Sequence, residues 1–189
     1  MPLILIIPGL GGSGEHHWQT HLERTRPRAA RVHQADWDRP ERKAWTETLA
    51  AAIEAAPGAV LVAHSLGCAL IAHVVRERPD LQVDAALLVA PADVDARSSV
   101  AEPLHEFAPL PLARLPFRSV VVASSNDPFM AINRAREIAG AWGSDFVNVG
   151  RCGHINVASG FGRWSLGEEI LDDLTSAQAQ RQKRSAGAS

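Results

Sequence analysis

Six short apolar runs punctuate the chain, at residues 3–7, 29–33, 59–63, 84–90, 119–124 and 145–149. They are rich in Val, Leu, Ile and Ala and show little polar alternation, the pattern of strands buried on both faces of a parallel sheet. Longer segments of helical period lie between them. Trp45, Leu49 and Ile53 recur every four residues until Pro57-Gly58 stops the helix. Leu70 with Val74, and Ile71 with Val75, mark a second helix over residues 66–78, ahead of Pro79. Ala135, Ile138 and Trp142 stripe a third, which Gly143 ends. The alternation predicts an α/β fold: a three-layer α/β/α sandwich around a mostly parallel sheet of about six strands. Trp45 and Trp142 are expected to anchor its core.

Two segments interrupt the alternation. Residues 92–118 carry Pro103, Pro109, Pro111 and Pro116 among leucines and phenylalanines, and read as an irregular excursion over the sheet. Beyond Thr175 the sequence turns to Ala, Gln, Ser and Arg. Residues 176–189 are therefore expected to form a polar, frayed tail to a single domain spanning 1–175. A length of 189 residues suits one domain with a substantial core. The net charge of −2 supplies no drive toward nucleic acid or an anionic membrane. The run at 3–7 lacks a basic segment before it and is too short for a signal peptide or a spanning helix, so a cytoplasmic protein is expected. Cys68 and Cys152 form neither a metal pattern nor a disulfide framework.

The first loop carries Gly9, Gly11 and Gly14 in "PGLGGSGEHHW", which fits G-x-G-x-x-G, and Asp36 follows about 20 residues on, as a dinucleotide site would want. A second motif competes with that reading. In "AVLVAHSLGCALIAHVV" a buried strand runs through Ala63-His64-Ser65-Leu66-Gly67 straight into a helix. This is the strand–turn–helix context of a nucleophile elbow, with Ala63 in place of the usual first glycine. Such a turn exposes the Ser65 hydroxyl at the carboxyl end of the sheet and aims the Leu66 N–H toward a developing oxyanion. The plainer alternative is a serine that caps a helix.

A serine hydroxyl becomes a useful nucleophile only when a base takes its proton and a carboxylate orients that base. In this fold class the partners follow in the order Ser, acid, His. "VVVASSNDPFM" places Asp127 just past a strand, and "FVNVGRCGHINVASG" places His154 just past the last one. Asp93 also follows a strand, but one strand earlier, and reads as a turn or helix-start residue. Of the eight histidines only His154 follows Asp127.

These segments resemble the small serine hydrolases of the family that includes retinoblastoma-binding protein 9, a compact branch of the α/β hydrolases. The resemblance rests on "PGLGGSGEHHWQ", "AHSLG", "SSNDPF" and "GHINVASGFGRW", in order along nearly the whole chain. It implies Ser65 as nucleophile, Asp127 as acid and His154 as base, in cofactor-free hydrolysis of small acyl substrates. It also implies an alternative, since some members are discussed chiefly as protein-binding partners: an interaction module on a hydrolase scaffold, with an unknown protein partner.

Other chemistries fit less well. A cofactor site would leave the elbow, acid and histidine as coincidences, and Pro8 is awkward in a dinucleotide turn. His16, His17 and His21 lack the H-E-x-x-H pattern of a zinc hydrolase and read as surface or helix-face histidines. No metal and no cofactor is expected. Cys68 and Cys152 read as small packing residues. The Leu10 and Leu66 N–H groups are the expected oxyanion donors. His64, Phe161 and Trp164 are candidate walls of a small or open acyl pocket; packing is an equal reading for His64, and Phe161, Trp164, Phe107 and Phe117 are all weighed equally as wall or core.

Overall fold

The structure is a computed structural model that describes residues 2–96 and 102–186. Six strands form one sheet: β1 (Ile4–Ile7), β2 (Ala29–Arg31), β3 (Ala59–His64), β4 (Val83–Val89), β5 (Arg118–Ala123) and β6 (Asp145–Asn148). Their order across the sheet is β2-β1-β3-β4-β5-β6, and every neighbouring pair is parallel. Each apolar run of the sequence becomes a strand. The helices are α1 (Trp18–Thr25), α2 (Arg42–Glu54), α3 (Leu66–Glu77), α4 (Ile132–Trp142) and α5 (Ser165–Ala186).

Alternate residues of each strand feed two apolar cores. Leu5, Ile7, Leu61, Ala63, Val121 and Ala123 face a core built with Trp45 and Leu49 of α2, Leu70 of α3 and Trp142 of α4. Ile4, Ile6, Val60, Val62, Val120 and Val122 face a second core with Trp18 and Leu22 of α1 and Leu171 and Leu174 of α5. The central strands are therefore buried on both sides, which explains their unbroken apolar sequence. Trp45 and Trp142 are almost wholly buried. Gly143 ends α4 in the left-handed conformation, at φ 69°.

Within the excursion, residues Glu102–Phe107 form a 3₁₀ turn whose Phe107 seals the core against Trp45. Residues 97–101 lie outside the described set. The polar segment from 176 differs from the expected frayed tail: α5 continues through it to Ala186. Among the described residues no helix is long and apolar enough to cross a membrane.

The topology fixes where a site can form. From β1 the chain crosses to β2 on one side, and β3 then lies on the other. The loops after β1 and β3 thus part at a switch point and open a crevice at the carboxyl ends of the strands.

Candidate active site

The elbow occupies the junction of β3 and α3. Ser65 sits at φ 54° and ψ −121°, a backbone conformation that costs a non-glycine residue about 1–3 kcal/mol. Local hydrogen bonds hold it: Ser65 N–H donates to the Val89 carbonyl at 3.0 Å, and the Ser65 carbonyl accepts Cys68 N–H at 3.0 Å. The small residue at position 67 is required because a Cβ there would collide with the Ile7 carbonyl oxygen. Ala63 is fully buried, so its methyl group is accommodated where glycine is usual. Although Ser65 holds the N-cap position of α3, its side chain makes no capping bond. The hydroxyl instead lies 2.9 Å from His154 Nε2. Capping therefore does not account for this serine.

His154 Nδ1 lies 2.9 and 3.0 Å from the two carboxylate oxygens of Asp127. A carboxylate accepts only, so Nδ1 carries the ring proton and Nε2 presents its lone pair to the Ser65 hydroxyl. Both side chains are shielded, His154 at 8% exposure and Asp127 at 1%. Asp127 also accepts Phe129 N–H at 2.9 Å. Asp93 lies elsewhere: its N–H donates to the Phe129 carbonyl at 3.1 Å and its carboxylate faces Arg134 at 3.7 Å.

The loops carrying Asp127 and His154 are stitched together by residues that sequence reasoning missed. Ser124 Oγ accepts Cys152 N–H at 2.9 Å, and Asn126 Oδ1 accepts Gly153 N–H at 2.9 Å. Ser125 N–H donates to the Gly150 carbonyl at 2.7 Å. Their position in "SSNDPF" beside the acid was the available signal, but their partners lie in a loop far along the chain.

The first loop packs against the elbow. A Cβ at Gly9 would stand 3.0 Å from Leu66 N and 3.0 Å from Ser65 Cβ, so any larger residue there would push the elbow backbone outward by a few tenths of an ångström. Leu66, as the first residue of α3, has a backbone N–H without an acceptor inside the helix. Buried Gln19 braces the crevice by donating to the Ile7 carbonyl at 3.2 Å and the Val62 carbonyl at 3.0 Å. Arg31 donates to the carbonyls of Gly12 and Ser13 and to Thr20 Oγ1. Asp36 serves a tight turn by accepting the N–H groups of Asp38 and Arg39.

A pocket of about 380 Å³ opens beside Ser65. His17, His64, Leu104, Phe129, Asn156 and Val157 are among its walls, and among the described residues none that lines it is Asp, Glu, Lys or Arg. Phe161 and Trp164, named as candidate walls, do not line it and take the core position that was the equal alternative. Trp164 is buried against Trp18, with ring centroids 5.3 Å apart, and Phe161 packs beside Trp164 in the second core. The polypeptide turns at the 3₁₀ segment Val157–Ser159, and the aromatic residues that follow pack into the second core. Phe107 is likewise core, and Phe117 packs against the same core.

His17, expected at the surface or on a helix face, lies instead at the N-cap of α1. It is buried, caps α1 by accepting Gln19 N–H on Nδ1 at 3.2 Å, and has its pKa lowered to about 4 by burial and by Arg31 and His154. Burial, with His154 and His17 close by, pushes the pKa of His64 well below the ordinary histidine value. Both walls are thus neutral imidazoles near pH 7. Cys68 is buried, and burial raises its thiol pKa far from the range of a reactive thiolate. Among the described residues no group of three His, Cys, Asp or Glu side chains is placed to hold a metal ion.

The parallel sheet, the strained turn at its carboxyl edge and the loops around it define an α/β hydrolase. The model of the serine hydrolase family matches residues 4–173, and the chain belongs to that family; it is a serine hydrolase. Among solved structures, a YdeN-like hydrolase of Pectobacterium atrosepticum is 31% identical, with 93% of this chain and 91% of that one covered at a TM-score of 0.81. The ydeN gene product of B. subtilis is 21% identical over 93% of this chain and 100% of that one, with a TM-score of 0.78. The carboxylesterase CesB of Bacillus subtilis shares the fold at 15% identity and a TM-score of 0.61, over 90% of this chain and 82% of that one. No curated protein sequence matches the chain.

Proposed function

We propose that the protein hydrolyses small, uncharged acyl esters through an acyl-enzyme formed on Ser65. The observation that carries this reading is the unbroken hydrogen-bonded series from Ser65 Oγ to His154 Nε2 and from His154 Nδ1 to Asp127. Ser65 Oγ attacks the acyl carbonyl while His154 accepts its proton at Nε2. Asp127 holds the tautomer and stabilises the imidazolium that forms. The N–H groups of Leu66 and Leu10 stabilise the oxyanion, a role supported by the close approach of Gly9 to Leu66 N. His154 then protonates the leaving alcohol, and water, deprotonated by the same imidazole, releases the acid.

The substrate class follows from the walls. The described walls carry no charged side chain to partner a carboxylate or an ammonium group, which makes transfer of a charged acyl group into the pocket unfavourable. Its volume and its open mouth, bordered by Leu10, Phe129 and Val157, suit short acyl chains. With p-nitrophenyl esters, acetyl and butyryl groups should be turned over faster than long chains, and butyryl faster than the anionic succinyl group. A preference for long or for anionic acyl groups would contradict this assignment.

A further inference from the structure

Two consecutive carbonyls in the loop that carries His154 are held by ring N–H groups from distant parts of the chain. His64 Nε2 lies 2.9 Å from the His154 carbonyl oxygen, and Trp18 Nε1–H donates to the Ile155 carbonyl at 3.0 Å. A carbonyl only accepts, so the single proton of neutral His64 is on Nε2. His64 is the last residue of β3, immediately before Ser65, and Trp18 opens α1 just after the first loop. The two rings meet edge to face with centroids 6.0 Å apart. The His64 ring also packs against that of His154 at 4.8 Å.

The segment they hold is strained. Ile155 sits at φ 48° and is fully buried. A β-branched side chain is a rare occupant of the left-handed region, and such a residue stays there only where its surroundings over-determine it. Rotation of the 154–155 peptide toward an ordinary conformation would swing the His154 backbone and carry its imidazole away from Ser65 and Asp127.

We propose that His64 and Trp18 are positioning residues: together they form an imidazole–indole clamp on the carbonyls of residues 154 and 155 that keeps His154 in reach of both Ser65 and Asp127. The inference rests on the role of His154 proposed above. It assigns His64 a task in the reaction beyond the pocket wall or packing role read from the sequence, and it explains why a buried polar ring stands beside Ser65.

Three variants separate the clamp from simple packing. His64→Phe and Trp18→Phe keep an aromatic ring and remove the donor, whereas His64→Gln returns an amide N–H near the position of Nε2. With p-nitrophenyl butyrate, each Phe variant is expected to lose about tenfold in kcat, the worth of one hydrogen bond, with KM little changed. His64→Gln should recover most of that loss. In proton spectra the downfield signal of the His154 Nδ1–H should broaden in the Phe variants and sharpen again in His64→Gln. Thermal melts establish that each variant is folded. If His64→Phe loses its cooperative melt, Trp18→Phe, which keeps most of the aromatic packing, carries the comparison alone. Wild-type kcat in the folded Phe variants, a loss confined to KM, or a His64→Gln variant as impaired as His64→Phe would overturn the clamp. A wild-type protein no faster than Ser65→Ala would instead overturn the hydrolytic reading on which it rests.

Discussion

At the scale of single residues, the site depends on backbone positions as much as on reactive side chains. Ser65 reaches its partners because the chain turns through a costly conformation, and Gly9 and Gly67 allow the neighbouring backbone to close around that turn. A methyl group at Gly9 would press on Leu66 N, Ser65 Cβ and the His64 carbonyl, none of them the end of a flexible side chain. Gly9→Ala is therefore expected to shift the proposed oxyanion donors, the N–H groups of Leu10 and Leu66, and lower kcat by about 10²-fold, the scale of losing one such donor, while KM changes less. Steady-state kinetics with p-nitrophenyl acetate would show it; an unchanged kcat would contradict the placement of Leu10 and Leu66. Much of this site was legible in the sequence. The order Ser65, Asp127, His154, each just past an apolar run, is a pattern along the chain. The contributions of Ser124, Asn126, Trp18 and His64 were not legible, because their hydrogen bonds join residues 27 to 137 positions apart. Their partners are backbone atoms, N–H groups for Ser124 and Asn126 and carbonyls for Trp18 and His64, which leave no trace in side-chain identity. His17 was misread for a related reason: a histidine is an uncommon N-cap, and nothing local shows that its ring turns inward.

At the scale of elements, periodicity carried nearly all the information. Strands buried on both faces cannot alternate, so their boundaries stand out against the polar loops. The helices over the first core announce themselves through Trp45, Leu49 and Ile53 and through Ala135, Ile138 and Trp142. Trp45 joins α2 to the excursion by packing on Phe107 at 6.1 Å. Its indole N–H reaches the Asp36 carbonyl at 3.3 Å. Trp45→Ala would leave a cavity that the surrounding strands and helices cannot close, and should destabilise the protein by about 3–5 kcal/mol in urea unfolding. A loss below about 1 kcal/mol would mean that the core repacks around the gap. The weaker reading concerns the end of the chain. Phe161 and Trp164 follow His154 so closely that sequence proximity suggests a pocket wall, yet the turn at Val157–Ser159 directs them into the second core. Nearness along the chain is a poor guide wherever a tight turn intervenes. Helix α5 carries its apolar contacts through Leu171 and Leu174, a stripe too sparse to mark the helix against the polar residues that follow.

For the molecule as a whole, the crevice gathers loops from five strands, β1, β3, β4, β5 and β6, and three buried imidazoles give the fold a characteristic response to acid. His17, His64 and His73 all have pKa values lowered chiefly by burial. Unfolded, each would titrate near 6.5. Below that pH the unfolded chain takes up protons that the folded protein refuses, so stability is fully present above about pH 6.5 and falls as the pH drops. For His17 the loss continues down to about pH 4, where the folded state also binds its proton. Each histidine contributes a slope of up to about 1.4 kcal/mol per pH unit within its window. Urea midpoints measured from pH 8 to 4.5 should be flat at first and then decline below about 6.5; a flat profile throughout would show these rings to be hydrated. The central claim is that Ser65, activated by His154 and Asp127, carries the chemistry, and its most direct test is labelling by a fluorophosphonate probe. The wild-type protein should label, and Ser65→Ala should not, with a parallel loss of ester turnover of about 10⁴-fold or more. Labelling that survives in Ser65→Ala, or a folded wild-type protein that does not label, would contradict it.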